Sequence, residues 1–118
     1  MAMVMYHGNG DTLTPHIGIC LADDIDIARD YAIYGGHRSE PRVHTVEIDL
    51  TGLRVVEVDG FDRDENVAPG DGDDAFDADV IVFEDETIRG TRHTTWRLMS
   101  VSALAAVRPV ATIDAEEI

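Results

Sequence analysis

Tyr6-His7-Gly8 sets an imidazole between an aromatic ring and a residue with no Cβ. Backbone beside a glycine can be approached closely and can grip a flat amide, and an imidazole can hydrogen-bond a sugar hydroxyl. The pair suits a nucleoside-like ligand, although a lone histidine at a strand end is more often an ordinary surface or satisfied residue. Tyr31 is a second candidate, lying on the apolar side of a helical pattern with Tyr34 three residues on. Such a ring is ordinarily a core tyrosine with its hydroxyl at the rim, or else an aromatic face on which a planar group stacks. A third group lies late in the chain, where Glu84, Asp85 and Glu86 precede His93, with Arg89, Arg92 and Arg97 around them. The ordinary reading of these acids is a charged turn at a strand end, with the arginines neutralising nearby carboxylates. Trp96 and Arg97 are adjacent on one strand pattern, so only one of them can face a cleft.

Several elements must position these groups. Residues 1–7 read as a first strand and 9–16 as a Gly-, Asn- and Pro-marked loop. Residues 18–22 read as a short buried strand, after which Asp23 or Asp24 caps a helix over about 24–34. Ile25, Ala28, Tyr31 and Ala32 recur at helical spacing, and Gly35-Gly36 provides a stop. Alternation over 43–50 marks a half-buried strand, with Val46, Ile48 and Leu50 on one face and Glu47 and Asp49 on the other. LRVVEV resumes as another strand, 80–83 is a compact apolar one, FEDETIRGTR reads as a turn, and 93–99 alternates again. A helical turn and a last strand close the pattern, and the residues after Asp114 are expected to fray. The sum is one α+β domain over 1–118 with many strands and one clear helix, without internal repeats.

Between 57 and 79 the chain is dense in Asp, Glu and Gly, which reads as a solvated loop with a mobile part, or a surface meeting a basic partner. Its DGDD resembles the start of a calcium loop, but counting from Asp71 puts Phe76 and Val82 where an EF-hand needs Gly and Glu. The net charge of −15, with arginine as the only basic side chain besides histidine, argues against a general phosphate-binding surface. One cysteine excludes an intrachain disulfide, and no Cys/His spacing marks a structural zinc site. No apolar run reaches the roughly 20 residues that span a bilayer, and MAMVMYHG lacks the features of a secretory signal, so a cytoplasmic location is the expectation.

Tyr6-His7-Gly8, then Gly18-Ile19-Cys20-Leu21-Ala22-Asp23, then Tyr31 eight residues after that Asp, resembles the ADP-ribosyltransferase fold of the His-Tyr-Glu type. In poly-ADP-ribose polymerases and diphtheria-toxin-like enzymes an HG strand precedes a GIYFAD-like strand and a helix carrying the tyrosine at the same offset. The resemblance covers the first third of the chain, and DADVIVFEDE with the strand after it is similar to the second half of small members. It implies a split-sheet core with NAD, as substrate, in a cleft between two short sheets. His7 would hold the adenosine ribose, Gly8 would receive the nicotinamide carboxamide through its backbone, and Tyr31 would stack on the nicotinamide ring with Tyr34 opposite. The family's third residue is a glutamate opening a late strand. Here that position is His93 or Thr94, a departure where catalysis is most exposed. Glu86 is the preferred source of the missing charge, with Glu84 and Asp85 as alternatives.

The expected activity is transfer of ADP-ribose to a macromolecular acceptor, a protein before a nucleic acid, with release of nicotinamide and no part played by a membrane. Such a small chain suits a toxin, a phage-type effector, or another protein that modifies one host target, acting in its own or a host cytoplasm. The rival reading is a catalytically degenerate binding or inhibitor module that uses its acidic face. A third is an RNA-directed relative that, like the tRNA 2′-phosphotransferases, works through histidines, which net acidity ranks last.

Overall fold

The computed structural model describes residues 2–10, 12–34, 40–57, 78–87 and 89–118. Among these residues seven strands form one sheet: β1 (Ala2–Asn9), β2 (Cys20–Ala22), β3 (Arg42–Asp49), β4 (Val55–Glu57), β5 (Val80–Glu86), β6 (Arg92–Leu98) and β7 (Val107–Asp114). Among the described residues two α-helices, α1 (Ile25–Tyr34) and α2 (Val101–Ala105), complete the α+β arrangement. The sheet order is β4-β5-β6-β2-β1-β3-β7, with only β4 and β5 parallel.

One contact in that order is slight. β1 and β3 pair along the whole of β1, and β5 and β6 pair along the whole of β5, whereas β1 and β2 share the single pair Tyr6 and Ala22. The expectation of two separate short sheets is corrected to one sheet, pinched at that pair. Past Tyr6 the strands diverge, leaving a wedge between His7-Gly8 on one side and Cys20-Leu21 on the other.

Strand alternation assigns the two faces. Met5, Leu21, Val46, Ile48, Val80 and Leu98 are buried on one face with Ala103 of α2, and Trp96 packs against them. The other face takes α1, whose Ala28 and Ala32 cluster with Val43 and Ala115. Asp24 starts α1: its Oδ1 accepts the Asp26 N–H at 2.9 Å and its carbonyl accepts from Ile27, which settles the choice between Asp23 and Asp24. The Gly35-Gly36 stop and nearly all of the acidic 57–79 segment lie outside the described residues.

Two boundaries differ from the sequence reading. β5 does not end at Phe83 but continues through Glu84, Asp85 and Glu86, after which Thr87 N donates to Thr91 O and Gly90 sits at φ 83°. Acids at a strand end read as a turn because they carry no apolar alternation. The end of the chain is docked rather than frayed. Asp114 Oδ1 accepts from Glu116 N at 2.9 Å, Ala115 N donates to Pro41 O, and Ala115 O accepts from Arg29 Nε of α1. The fully buried residue there is an alanine, which gives a weak apolar signal.

Asp79 ties three elements together. Its carboxylate accepts from Ser100 Oγ at 2.6 Å and from the Arg54 N–H at 2.8 Å, while Ser100 Oγ also accepts from Ala103 N at the start of α2. The Ser100 hydroxyl, then the Arg54 N–H, hold its carboxyl below the ordinary 3.8. A depressed folded value means the contribution to stability is present above 3.8 and is lost as pH falls through the lower, folded value. Asp79→Asn is expected to remove that acid-side decline, as measured by comparing urea midpoints at neutral and acid pH. No helix among the described residues is long and apolar enough to cross a membrane.

Candidate active site at the sheet wedge

The wedge opens into a cavity of about 230 Å³, lined by residues 6–8 of β1, 20–22 of β2, Ala28 and Tyr31 of α1, Asp85 of β5, and His93 and Thr95 of β6. His7, Gly8, Tyr31 and His93, distant in sequence, therefore border one space. Tyr31 reaches it because its helix lies over β1, and His93 and Thr95 share a face of β6.

Gly8 has a packing reason that the sequence reading did not assign. A Cβ built on it would lie 1.9 Å from the Ala28 carbonyl oxygen and 3.0 Å from Ala32 N. The face freed by its missing side chain is thus filled by α1. This corrects the expectation that a ligand uses that space: any contact with Gly8 comes through its peptide edge, in the plane of the sheet.

His7 spans the wedge, with Nδ1 2.8 Å from the Cys20 carbonyl. A carbonyl only accepts, so Nδ1 carries the hydrogen of this bond. Across the cavity, the Tyr31 hydroxyl lies 2.9 Å from His93 Nε2 and 3.4 Å from the Glu86 carbonyl, with the two rings edge-to-face at 5.5 Å. His93 Nδ1 is 3.3 Å from both Thr94 O and Thr95 Oγ1. With Nδ1–H, the ring donates to Thr94 O and accepts from Tyr31. With Nε2–H, it donates to Tyr31, accepts from Thr95, and Tyr31 donates to Glu86 O. The site therefore satisfies His93 in either neutral tautomer, an arrangement suited to moving a proton.

Alternation decides among the three acids. Asp85 sits opposite His93 in the β5–β6 register and lines the cavity. Glu84 and Glu86 fall on the other face, where Glu84 pairs with Arg92 at 3.9 Å. The preference for Glu86 is corrected: Glu86 does not line the cavity and meets Tyr31 only through its carbonyl, and the acid lining the cavity is Asp85, whose Oδ1 accepts the Glu86 N–H at 2.7 Å.

The remaining candidates lie around the rim. Arg97 shares the β6 face of His93 and Thr95 and donates Nε to the Gly18 carbonyl at 3.2 Å. Among the described residues it pairs with no carboxylate, and it does not line the cavity. Trp96 packs on the opposite face. Tyr34 is 42 % exposed, does not line the cavity, and carries the Arg89 guanidinium 5.1 Å from its ring centre; the expectation that it sandwiches a ring against Tyr31 is not met by this placement. No group of His, Cys, Asp or Glu among the described residues could hold a metal ion.

Behind His7 lies His44, which the sequence reading passed over although it shares the apolar alternation of Val46 and Ile48. Its ring is 1 % exposed, opposite His7 in the β1–β3 register, with both nitrogens engaged. Compared with family models, curated proteins and solved structures, the chain shows no match to any of them.

Proposed function

We propose that the wedge binds NAD and that the protein transfers ADP-ribose from it to a macromolecular acceptor, releasing nicotinamide. The observation that carries this reading is the convergence of His7, Gly8, Tyr31 and His93 on one cavity, in the order of strand, strand, helix and late strand that the ADP-ribosyltransferase resemblance implies. At about 230 Å³ the cavity is smaller than the ~300–1,000 Å³ usual for ligand sites, so on this reading it takes part of NAD and the rest lies outside it.

On this reading the His7 imidazole hydrogen-bonds the adenosine ribose, the Gly8 peptide edge meets the carboxamide, and the Tyr31 ring stacks on nicotinamide, parting from His93 as the ligand enters. Arg97, on the β6 face of His93 and Thr95, offers the pyrophosphate a fork of N–H donors. The bond between the nicotinamide nitrogen and the ribose breaks, its electron pair leaving with nicotinamide and neutralising the pyridinium. The cationic sugar that develops faces Asp85, which supplies the charge a glutamate provides in the family. His93 takes the proton of the attacking acceptor group. A protein acceptor, acting as target of a toxin-like or phage-type effector in a cytoplasm, is the preferred partner because an acidic surface meets a basic protein more readily than a nucleic acid.

Incubation of the chain with labelled NAD and a cell lysate is expected to label acceptors, and the His7→Ala/Tyr31→Phe double variant to lose that label. Label that persists in the double variant would sink the site assignment. A second reading, an NAD-binding or inhibitory module without turnover, is favoured by one observation: the late strand opens on Arg92 and His93, not on a glutamate. Calorimetric binding of NAD without nicotinamide release would establish it.

A further inference from the structure

His44 belongs to a polar chain that the site as described does not use. The Thr112 hydroxyl lies 2.8 Å from His44 Nδ1, His44 Nε2 lies 2.7 Å from Asn9 Oδ1, and Asn9 Nδ2 donates to the Thr12 carbonyl at 3.1 Å. The last bond fixes which end of the Asn9 amide is nitrogen, so Oδ1 accepts from His44 Nε2–H and Nδ1 accepts from Thr112. Three hydrogen bonds thus run in one direction, from strand β7, through β3, to the loop that leaves β1.

That loop spans the wedge. It departs just past Gly8, on the β1 wall, and returns at Cys20, on the β2 wall. Its return end is pinned to β6, where Gly18 N donates to Leu98 O at 2.7 Å, Leu98 N to Ile19 O, and Arg97 Nε to Gly18 O. The departing end is pinned to the other half of the sheet by the His44 chain. With only Tyr6 and Ala22 paired between the halves, these two anchorages set how far the walls stand apart. The His7 bond to Cys20 O crosses that distance, and the His44 ring lies almost parallel behind His7, at 22° and 6.3 Å between centroids.

We propose that His44 is a positioning residue, whose hydrogen-bond chain from Thr112 to Asn9 and Thr12 fixes the width of the wedge and the orientation of His7 toward the adenosine part of NAD. This rests on the NAD reading above for its ligand, while the geometric claim stands apart from it. It assigns a purpose to burying a histidine that a hydrophobic residue of similar volume could replace.

Thr112 is exposed and outside the cavity, so it can be changed with little effect on folding. In Thr112→Val, the KM for NAD is expected to rise about three- to tenfold with kcat within about twofold, and Thr112→Ser to restore it. Imidazole nitrogen NMR of the same variants is expected to show the His7 Nδ1–H signal losing its protection from exchange in Thr112→Val alone. A loss confined to kcat or to thermal stability, with KM and the His7 signal unmoved, overturns the proposal. Should calorimetry show that the unaltered protein binds no NAD, the NAD reading fails. The His7 signal in Thr112→Val then decides the positioning role by itself, with unchanged protection overturning it.

Discussion

Asp85→Asn is expected to lower turnover of NAD by about 10²- to 10³-fold with KM within about threefold, whereas Glu86→Gln leaves both within about twofold. Asp85 lines the cavity opposite His93, and Glu86 does not line it. Replacing a carboxylate by its amide keeps shape and removes charge, so the effect falls on the step in which positive charge develops rather than on binding. His93→Ala should impair turnover as well, through the lost proton acceptor and the lost partner of Tyr31. Nicotinamide release measured by chromatography separates the cases. Turnover that survives Asp85→Asn and vanishes in Glu86→Gln would return the charge to Glu86 and require β5 to turn over at its end.

Gly8→Ala is expected to destabilise the fold by about 2–3 kcal/mol, lowering Tm by about 10 °C. The atom a new Cβ would strike is the backbone carbonyl of Ala28, at 1.9 Å, so no side-chain truncation in α1 relieves the clash. The helix must move, and Tyr31 moves with it. Thermal unfolding of the variant at near-native Tm would mean that α1 does not lie against β1 as described. The conservative look of the change makes it a sharp test, because exposed Gly→Ala substitutions are ordinarily mild or stabilising where φ allows.

The convergence on the wedge was legible in the sequence because its parts are marked locally. His7-Gly8 is a short motif, Asp24 opens a helix whose Ile25, Ala28 and Ala32 repeat at helical spacing, and that spacing carries Tyr31 toward the first strand. The alternation of Val46 and Ile48 likewise located β3. What escaped depends on pairing. Whether Asp85 or Glu86 faces inward is a matter of strand parity, and parity becomes defined only once β5 is known to run past Phe83 beside β6. Gly8 reads as an open approach in one dimension and as a helix contact in three. His44 stands in the apolar alternation of its strand, but its partners Asn9 and Thr112 come from β1 and β7, and no local pattern links them. The docked end of the chain hides for a related reason, since Ala115 is buried among Ala28, Ala32 and Val43 and its backbone is tied to Pro41 and Arg29, all remote in sequence.

The place of β7 in the sheet bears on when the protein becomes competent during synthesis. β7 closes the outer edge of β3, supplies Thr112 to His44, and leads into the turn that braces α1, yet it follows every other strand in the chain. β1, β2 and α1, which form most of the wedge, leave the ribosome first and must wait for it. Pairings this remote in sequence form late, because the intervening chain has to be closed into a loop before they can stabilise anything. A nascent chain lacking β7 holds His7, Gly8 and Tyr31 without the strand that covers the outer edge of β3 and supplies Thr112 to His44, so the wedge takes its final form only as β7 docks.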